Sequence, residues 1–298
     1  MAGAKEVAIV EIGPRDGFQN LARFIPTENK AEIISKLVEA GVKHFEFSSF
    51  VHPKWIPQLA DAADLYQRIK DKPNATYRAL VPNEKGLERA IEHGVKKVSW
   101  VVGATDSGNL ANLNMTTEQS LAIIRRVGQR VKETGANLYG SIAYALGDPI
   151  EGDVPVAKVI DIVEVFHQAG SNDVTICDSI GIASPLKIRQ MIPELAKAFP
   201  DMKWGIHLHN ILGLGIANAL AAWEMGITAF ESSIAGLGGC PYAPYPGGNV
   251  ATEEMVYMFN KLGVNTGINL DKLIEARNFV RSIVGENPEK QVGRPKGD

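Results

Sequence analysis

The chain has 298 residues, a formal net charge of -3, 45% hydrophobic and 22% charged residues. These values suit a soluble globular protein, exclude fibrous and disordered classes, and leave no basic footprint for nucleic acid or an anionic membrane surface. Two cysteines, Cys177 and Cys240, stand outside any CxxC or zinc-ligand spacing, no basic-apolar leader opens the chain, and the apolar runs are too short to span a bilayer; the expectation is a cytoplasmic protein without disulfides.

In chain order, short β-branched or aromatic runs alternate with longer stretches of helical periodicity, the pattern of βα units feeding a parallel sheet. The strand-like runs cover residues 7–12, 43–49, 76–81, 97–102, 137–144, 173–177, 203–209 and 229–233. Between them, apolar residues recur at three- and four-residue spacing, as in Ile33, Ile34, Leu37 and Val38, or Val156, Val159, Ile160 and Val163. One helix stop recurs five times: EAGV at 39–42, EHGV at 92–95, ETGA at 133–136, QAGS at 168–171 and EMGI at 224–227. A glycine just past a helix can take the left-handed conformation that caps its last carbonyls. Eight serial strands with no GxGxxG after the first predict closure into a (β/α)8 TIM barrel over residues 1–298, with extra C-terminal helices spanning about 252–290. Two connections, 103–116 and 146–155, are longer than packing needs and fall on the C-terminal face, as does the glycine- and proline-rich stretch 235–249.

The polar residues at strand ends carry the chemistry. Arg15 and Asp16 follow the first strand, Glu46 ends the second, Asp178 the sixth, His207 and His209 the seventh, and Asn249 follows the eighth. All map to one rim. A charge in an apolar strand is costly unless paired or metal-bound, so the set calls for a shared partner. His207 and His209 in HLH share one strand face, as chelation requires. With Asp16 and Asn249 they form a mixed nitrogen and oxygen set, suited to a divalent metal such as Mg²⁺ or Mn²⁺ with positions left for substrate. Cys177 reads as barrel packing, and His44, His52, His93 and His167 as surface or helix-end residues.

Several segments resemble the 3-hydroxy-3-methylglutaryl-CoA lyase family: VEIGPRDGFQN at 10–20, SSFVHPKWIPQLAD at 48–61, the GDP and EG pattern at 147–152, DSIGIASP at 178–185, HLHN at 207–210 and AGLGGCPYAPYPGGNVATEE at 235–254. The resemblance covers most of the chain. It implies metal ligation by Asp16, His207, His209 and Asn249, and catalytic roles for Arg15, Cys240, Asp178, Glu46 and His207. Arg15 would contact the substrate carbonyl, Glu46 and Asp178 would assist proton handling, and Cys240 would act from a mobile loop. Arg15, Gln19 and Asn112 would face substrate. The implied partner is an acyl-CoA, with no nucleic acid or membrane, and the implied assembly a homodimer.

Departures from the family pattern gather where an acyl group would lie: the 103–116 loop, Ser141 for a tyrosine, Tyr144 for a small residue, Asn210 for an aspartate, and Tyr245-Pro246. The expected reaction is cleavage of 3-hydroxy-3-methylglutaryl-CoA to acetyl-CoA and acetoacetate. Alternatives are lysis of another 3-hydroxy-acyl-CoA or a free hydroxy acid, condensation of the isopropylmalate synthase type, and a non-catalytic metal-binding acyl-CoA sensor or scaffold. The short stretch after the cysteine loop leaves little room for a condensing enzyme's C-terminal region.

Overall fold

A computed structural model describes residues 3–239 and 248–285. Among them are eight strands, β1 (Ala8–Glu11), β2 (His44–Ser49), β3 (Thr76–Leu80), β4 (Lys97–Gly103), β5 (Asn137–Ala143), β6 (Asp173–Asp178), β7 (Lys203–Leu208) and β8 (Ala229–Ser232). They pair in parallel, in sequence order, and β8 closes on β1 to make a barrel. Each observed strand falls within a residue or two of its expected run.

Ten α-helices among the described residues surround it: α1 (Thr27–Glu39), α2 (Ala62–Ile69), α3 (Glu84–Glu92), α4 (Asp106–Leu113), α5 (Thr117–Thr134), α6 (Val156–Gln168), α7 (Pro185–Ala198), α8 (Gly215–Glu224), α9 (Thr252–Lys261) and α10 (Leu270–Val284). The last two are the expected C-terminal helices, and α10 lies against α1. All five glycines of the repeated stop, Gly41, Gly94, Gly135, Gly170 and Gly226, have φ between 68 and 103°, as the capping argument requires.

The core lies between barrel and helices, where Ile33, Ile34 and Leu37 of α1 are fully buried; each such side chain contributes about 2 kcal/mol. Alternation along a strand divides core from lumen. In β2, Phe45 and Phe47 face the helical layer, Phe45 stacking on Tyr77 at 5.5 Å and Phe47 on Tyr66 at 5.3 Å. Glu46 between them faces the lumen, where Ser99 Oγ donates to it at 2.5 Å. A barrel lumen is usually filled by branched aliphatic side chains. Here its middle layer includes Glu46, Arg78, Ser99, Thr175 and Glu231, joined by hydrogen bonds.

Two of the local elements that were not anticipated shape the C-terminal face. A π-helical turn, Gly13–Gly17, follows β1 directly, and α4 forms inside the stretch read as the long 103–116 loop.

Candidate active site

A cavity of about 200 Å³ opens at the C-terminal mouth, lined among others by Arg15, Asp16, Gln19, Glu46, Asn112, His207 and His209. The π-helical turn delivers the first two. π-turns widen the backbone coil locally and recur at functional sites, and this one sets Arg15 and Asp16 side by side, Nη1 to Oδ1 at 2.5 Å. His207 and His209 come from the end of β7. Asn249 arrives by a different route: Asn210 N–H donates to Gly248 O at 2.9 Å and Val250 N–H to Leu208 O at 3.1 Å, which pairs Asn249 with His209 in an antiparallel bridge. Gly238, at φ 102°, permits this closure, because a Cβ there would lie 2.7 Å from Asn249 Nδ2 and 2.9 Å from Asp16 Oδ2.

Asp16, His207 and His209 are all buried, and one ligand atom from each lies within 4.8 Å of the others. Asn249 Nδ2 donates to Asp16 Oδ2 at 2.6 Å and to Leu237 O at 2.9 Å. Its Oδ1 is buried with no hydrogen-bond partner among the described residues. Buried acceptors are rarely left so, and a cation held by these four residues would satisfy it. Two imidazole nitrogens, a carboxylate and an amide oxygen fit a divalent metal.

The electrostatics beneath the cavity suit the same reading. Arg15 Nε donates to Glu46 Oε1 at 2.5 Å; Arg78 Nε donates to Glu46 Oε2 at 3.1 Å. Arg78 Nη2 also donates to Glu231 Oε1, which accepts the Thr175 hydroxyl at 3.1 Å. Glu231 Oε2 stands 3.1 Å from His207 Nδ1. A carboxylate there makes Nδ1 the protonated nitrogen and leaves the other nitrogen's lone pair for a ligand. Two guanidiniums thus meet three carboxylates, an excess of negative charge that a divalent ion would reverse. Burial alone would lift the Asp16 carboxyl, but Arg15, the two imidazoles and Asn249 outweigh it and hold it below the usual range. Glu231 is likewise depressed against its burial, by Arg78 and His207. Burial pulls His207 down, yet the bond to Glu231 leaves it raised.

Other expected site residues are placed differently. Glu46 lines the cavity and accepts from Arg15, Arg78 and Ser99, so it orients Arg15. The Asp178 carboxylate is fully buried and accepts the N–H groups of Ile182 and Ala183, each at 3.1 Å. It organises the turn after β6, does not line the cavity, and is pushed up to about 6 by burial. Its neighbour Cys177, expected in the packing, faces the cavity with Sγ 3.2 Å from Ser141 Oγ. Gln19 Nε2 donates to Asp16 Oδ1 at 2.9 Å, and exposed Asn112, near the end of α4, lines the cavity. Asn210 is structural, its Oδ1 accepting Gly215 N–H at 2.9 Å at the start of α8. His44 lies half-buried in the lower mouth of the barrel. Cys240, Tyr245 and Pro246 lie outside the described residues.

The HMGL-like protein family matches residues 6–280. The chain belongs to the HMGL-like family. It is 41% identical over 293 residues to the mitochondrial hydroxymethylglutaryl-CoA lyase of Arabidopsis thaliana, covering 98% of this chain and 61% of that one. To the hydroxymethylglutaryl-CoA lyase of Bacillus subtilis it is 38% identical over 282 residues, with 95% and 94% covered. A solved HMG-CoA lyase of Acinetobacter baumannii, in complex with coenzyme A and 3-methylmalate, superposes with a TM-score of 0.90 at 32% identity, covering 99% of this chain and 97% of that one. The chain thus spans nearly the full length of the Bacillus subtilis and Acinetobacter baumannii proteins and about three fifths of the Arabidopsis thaliana one. Among the described residues no helix is long and apolar enough to cross a membrane.

Proposed function

We propose that this chain cleaves 3-hydroxy-3-methylglutaryl-CoA to acetyl-CoA and acetoacetate with a divalent metal, Mg²⁺ or Mn²⁺, held by Asp16, His207, His209 and Asn249. The observation that carries the reading is the convergence of Asp16, His207 and His209 beside Arg15 in one cavity, with Asn249 hydrogen-bonded to Asp16 behind them. When bound, the metal supplies Lewis acidity that acidifies the substrate hydroxyl and fixes its orientation.

The chain's own residues do the rest. The hydroxyl proton leaves to a base, the C2–C3 bond breaks, C3 becomes the ketone of acetoacetate, and the electron pair passes to C2 as the thioester enolate. Arg15 meets that charge. Its Nε and Nη1 are held by Glu46 and Asp16, which leaves Nη2 to donate to the enolate oxygen without reorganisation. Gln19 buttresses Asp16, and Asn112 faces the substrate from α4. Cys240, in the glycine-rich sequence 235–249, supplies a proton to C2. Low cysteine content suits a reducing cytoplasm.

The test is turnover of a panel of 3-hydroxy-acyl-CoA esters with Mg²⁺ or Mn²⁺, before and after chelation. 3-Hydroxy-3-methylglutaryl-CoA should be cleaved fastest, with activity lost on chelation and restored by Mn²⁺. Faster cleavage of another ester would move the substrate assignment, and turnover indifferent to chelation would remove the metal from the mechanism.

A further inference from the structure

We propose that Arg78, which lines neither the cavity nor the metal position, is the positioning residue that couples the two halves of the site through one guanidinium. The inference rests on the metal reading above and goes beyond it. From Arg78 two branches rise. Nε donates to Glu46 Oε2 at 3.1 Å, and Glu46 Oε1 holds Arg15 Nε at 2.5 Å. Nη2 donates to Glu231, and Glu231 Oε2 holds His207 Nδ1 at 3.1 Å. One branch aims the enolate-facing guanidinium. The other fixes the ring nitrogen offered to the metal.

The branches close on themselves above. Arg15 Nη1 binds Asp16 at 2.5 Å, and Asp16 shares the ligand cluster with His207. Arg78 is therefore the base of a ring of alternating charges whose top is the metal position. Its own placement is fixed from below, with the guanidinium 5.7 Å from the centre of the Tyr139 ring and the rest of the side chain in the lower mouth of the barrel. Only a rigid fork does this. A lysine ammonium carries the same charge but concentrates it at one point, so it cannot hold both carboxylates in the geometry of two separate guanidinium nitrogens.

The deciding experiment uses Arg78→Lys, which keeps the charge, alongside Glu231→Gln, which cuts only the imidazole branch. Mn²⁺ binding is titrated calorimetrically without substrate, and kcat is measured at saturating Mn²⁺. Arg78→Lys should weaken Mn²⁺ by about tenfold or more and leave kcat lowered even when metal saturates, because Arg15 has lost its alignment too. Glu231→Gln should weaken Mn²⁺ comparably while excess metal restores more of kcat than in Arg78→Lys. Mn²⁺ affinity and kcat of Arg78→Lys within threefold of the parent would overturn the proposal. A parent protein that binds no Mn²⁺ would overturn the metal reading itself, a distinguishable result. Should the lysine variant not fold, Glu231→Gln decides alone, since unchanged Mn²⁺ affinity there removes the imidazole branch and the coupling with it.

Discussion

Two buried carboxylates make a controlled comparison, Glu231 in the lumen and Glu11 at the seam where β1 meets β8. Glu11 has no exposure and Glu231 only 5%. Glu11 accepts N–H groups from Gly13 at 2.7 Å and Ile234 at 2.9 Å, and the Thr252 hydroxyl at 2.7 Å. Glu231 accepts a hydroxyl as well, but its other partners are a guanidinium and an imidazole. Burial dominates Glu11 and lifts it to about 7, whereas the cations around Glu231 reverse the sign. At Glu11 the hydrogen bonds offset only part of the burial, whereas at Glu231 the paired cations outweigh it. The lumen is thus a permanently charged layer, and the seam a neutralisable clasp that ties the π-helical turn to the start of α9.

The largest effect should come from breaking the charged layer at its top. Arg15→Gln removes the enolate-facing donor and leaves Glu46 and Asp16 without their shared cation. Steady-state kinetics at saturating Mn²⁺ should show kcat lower by roughly two orders of magnitude or more, the usual cost of losing such a donor. Retained turnover would mean the charge there serves the fold and not the reaction. The seam responds to pH instead. Glu11 has a folded pKa of about 7 against 4.5 unfolded, so folding binds its proton more tightly. Its stabilising effect is present below pH 4.5 and is lost as pH rises through 7. The difference amounts to about 3 kcal/mol. Urea denaturation of Glu11→Gln against the parent should show the variant gaining relative stability across that window; a pH-independent difference would place an ionised carboxylate at the seam.

The sequence made the rim legible and hid what lies beneath it. Asp16, His207, His209 and Asn249 announce themselves because unusual polar residues stand at strand ends, and the five capping glycines mark where each next strand begins. Arg78 and Glu231 sit inside TYRAL and AFES, where one charge in a short strand resembles an edge or surface residue. The signal was alternation: both share the inward parity that makes Glu46 a lumen residue. The same parity corrects Asp178 and Cys177. The apolar run before Asp178 suggested that Cys177 belongs to the barrel packing, but Cys177 is the Cα partner of His207 and faces the cavity. The π-helical turn and α4 were not legible, since neither has a periodicity long enough to register.

The smallest effect tests the rim where α4 meets β5. Tyr144 stands at φ 57°, a conformation that costs a non-glycine residue about 1 kcal/mol or more. Its N–H is held by Ser179 Oγ at 2.9 Å. Its ring covers Gly108 so closely that a Cβ there would lie 2.4 Å from Cδ2. Gly108 is inside a helix, where alanine is otherwise favoured by about 1 kcal/mol. The two facts pull in opposite directions. Gly108→Ala should therefore destabilise the parent by about 1–3 kcal/mol through overpacking, yet stabilise a Tyr144→Gly background, where the ring is gone and only helix propensity remains. A thermal-denaturation double-mutant cycle reads that reversal of sign. If alanine costs the same in both backgrounds, the ring is not what Gly108 makes room for. The docking of α4, and of Asn112 with it, would then rest on the polar ties from Thr105 to Asp148 and Ser107 to Glu151.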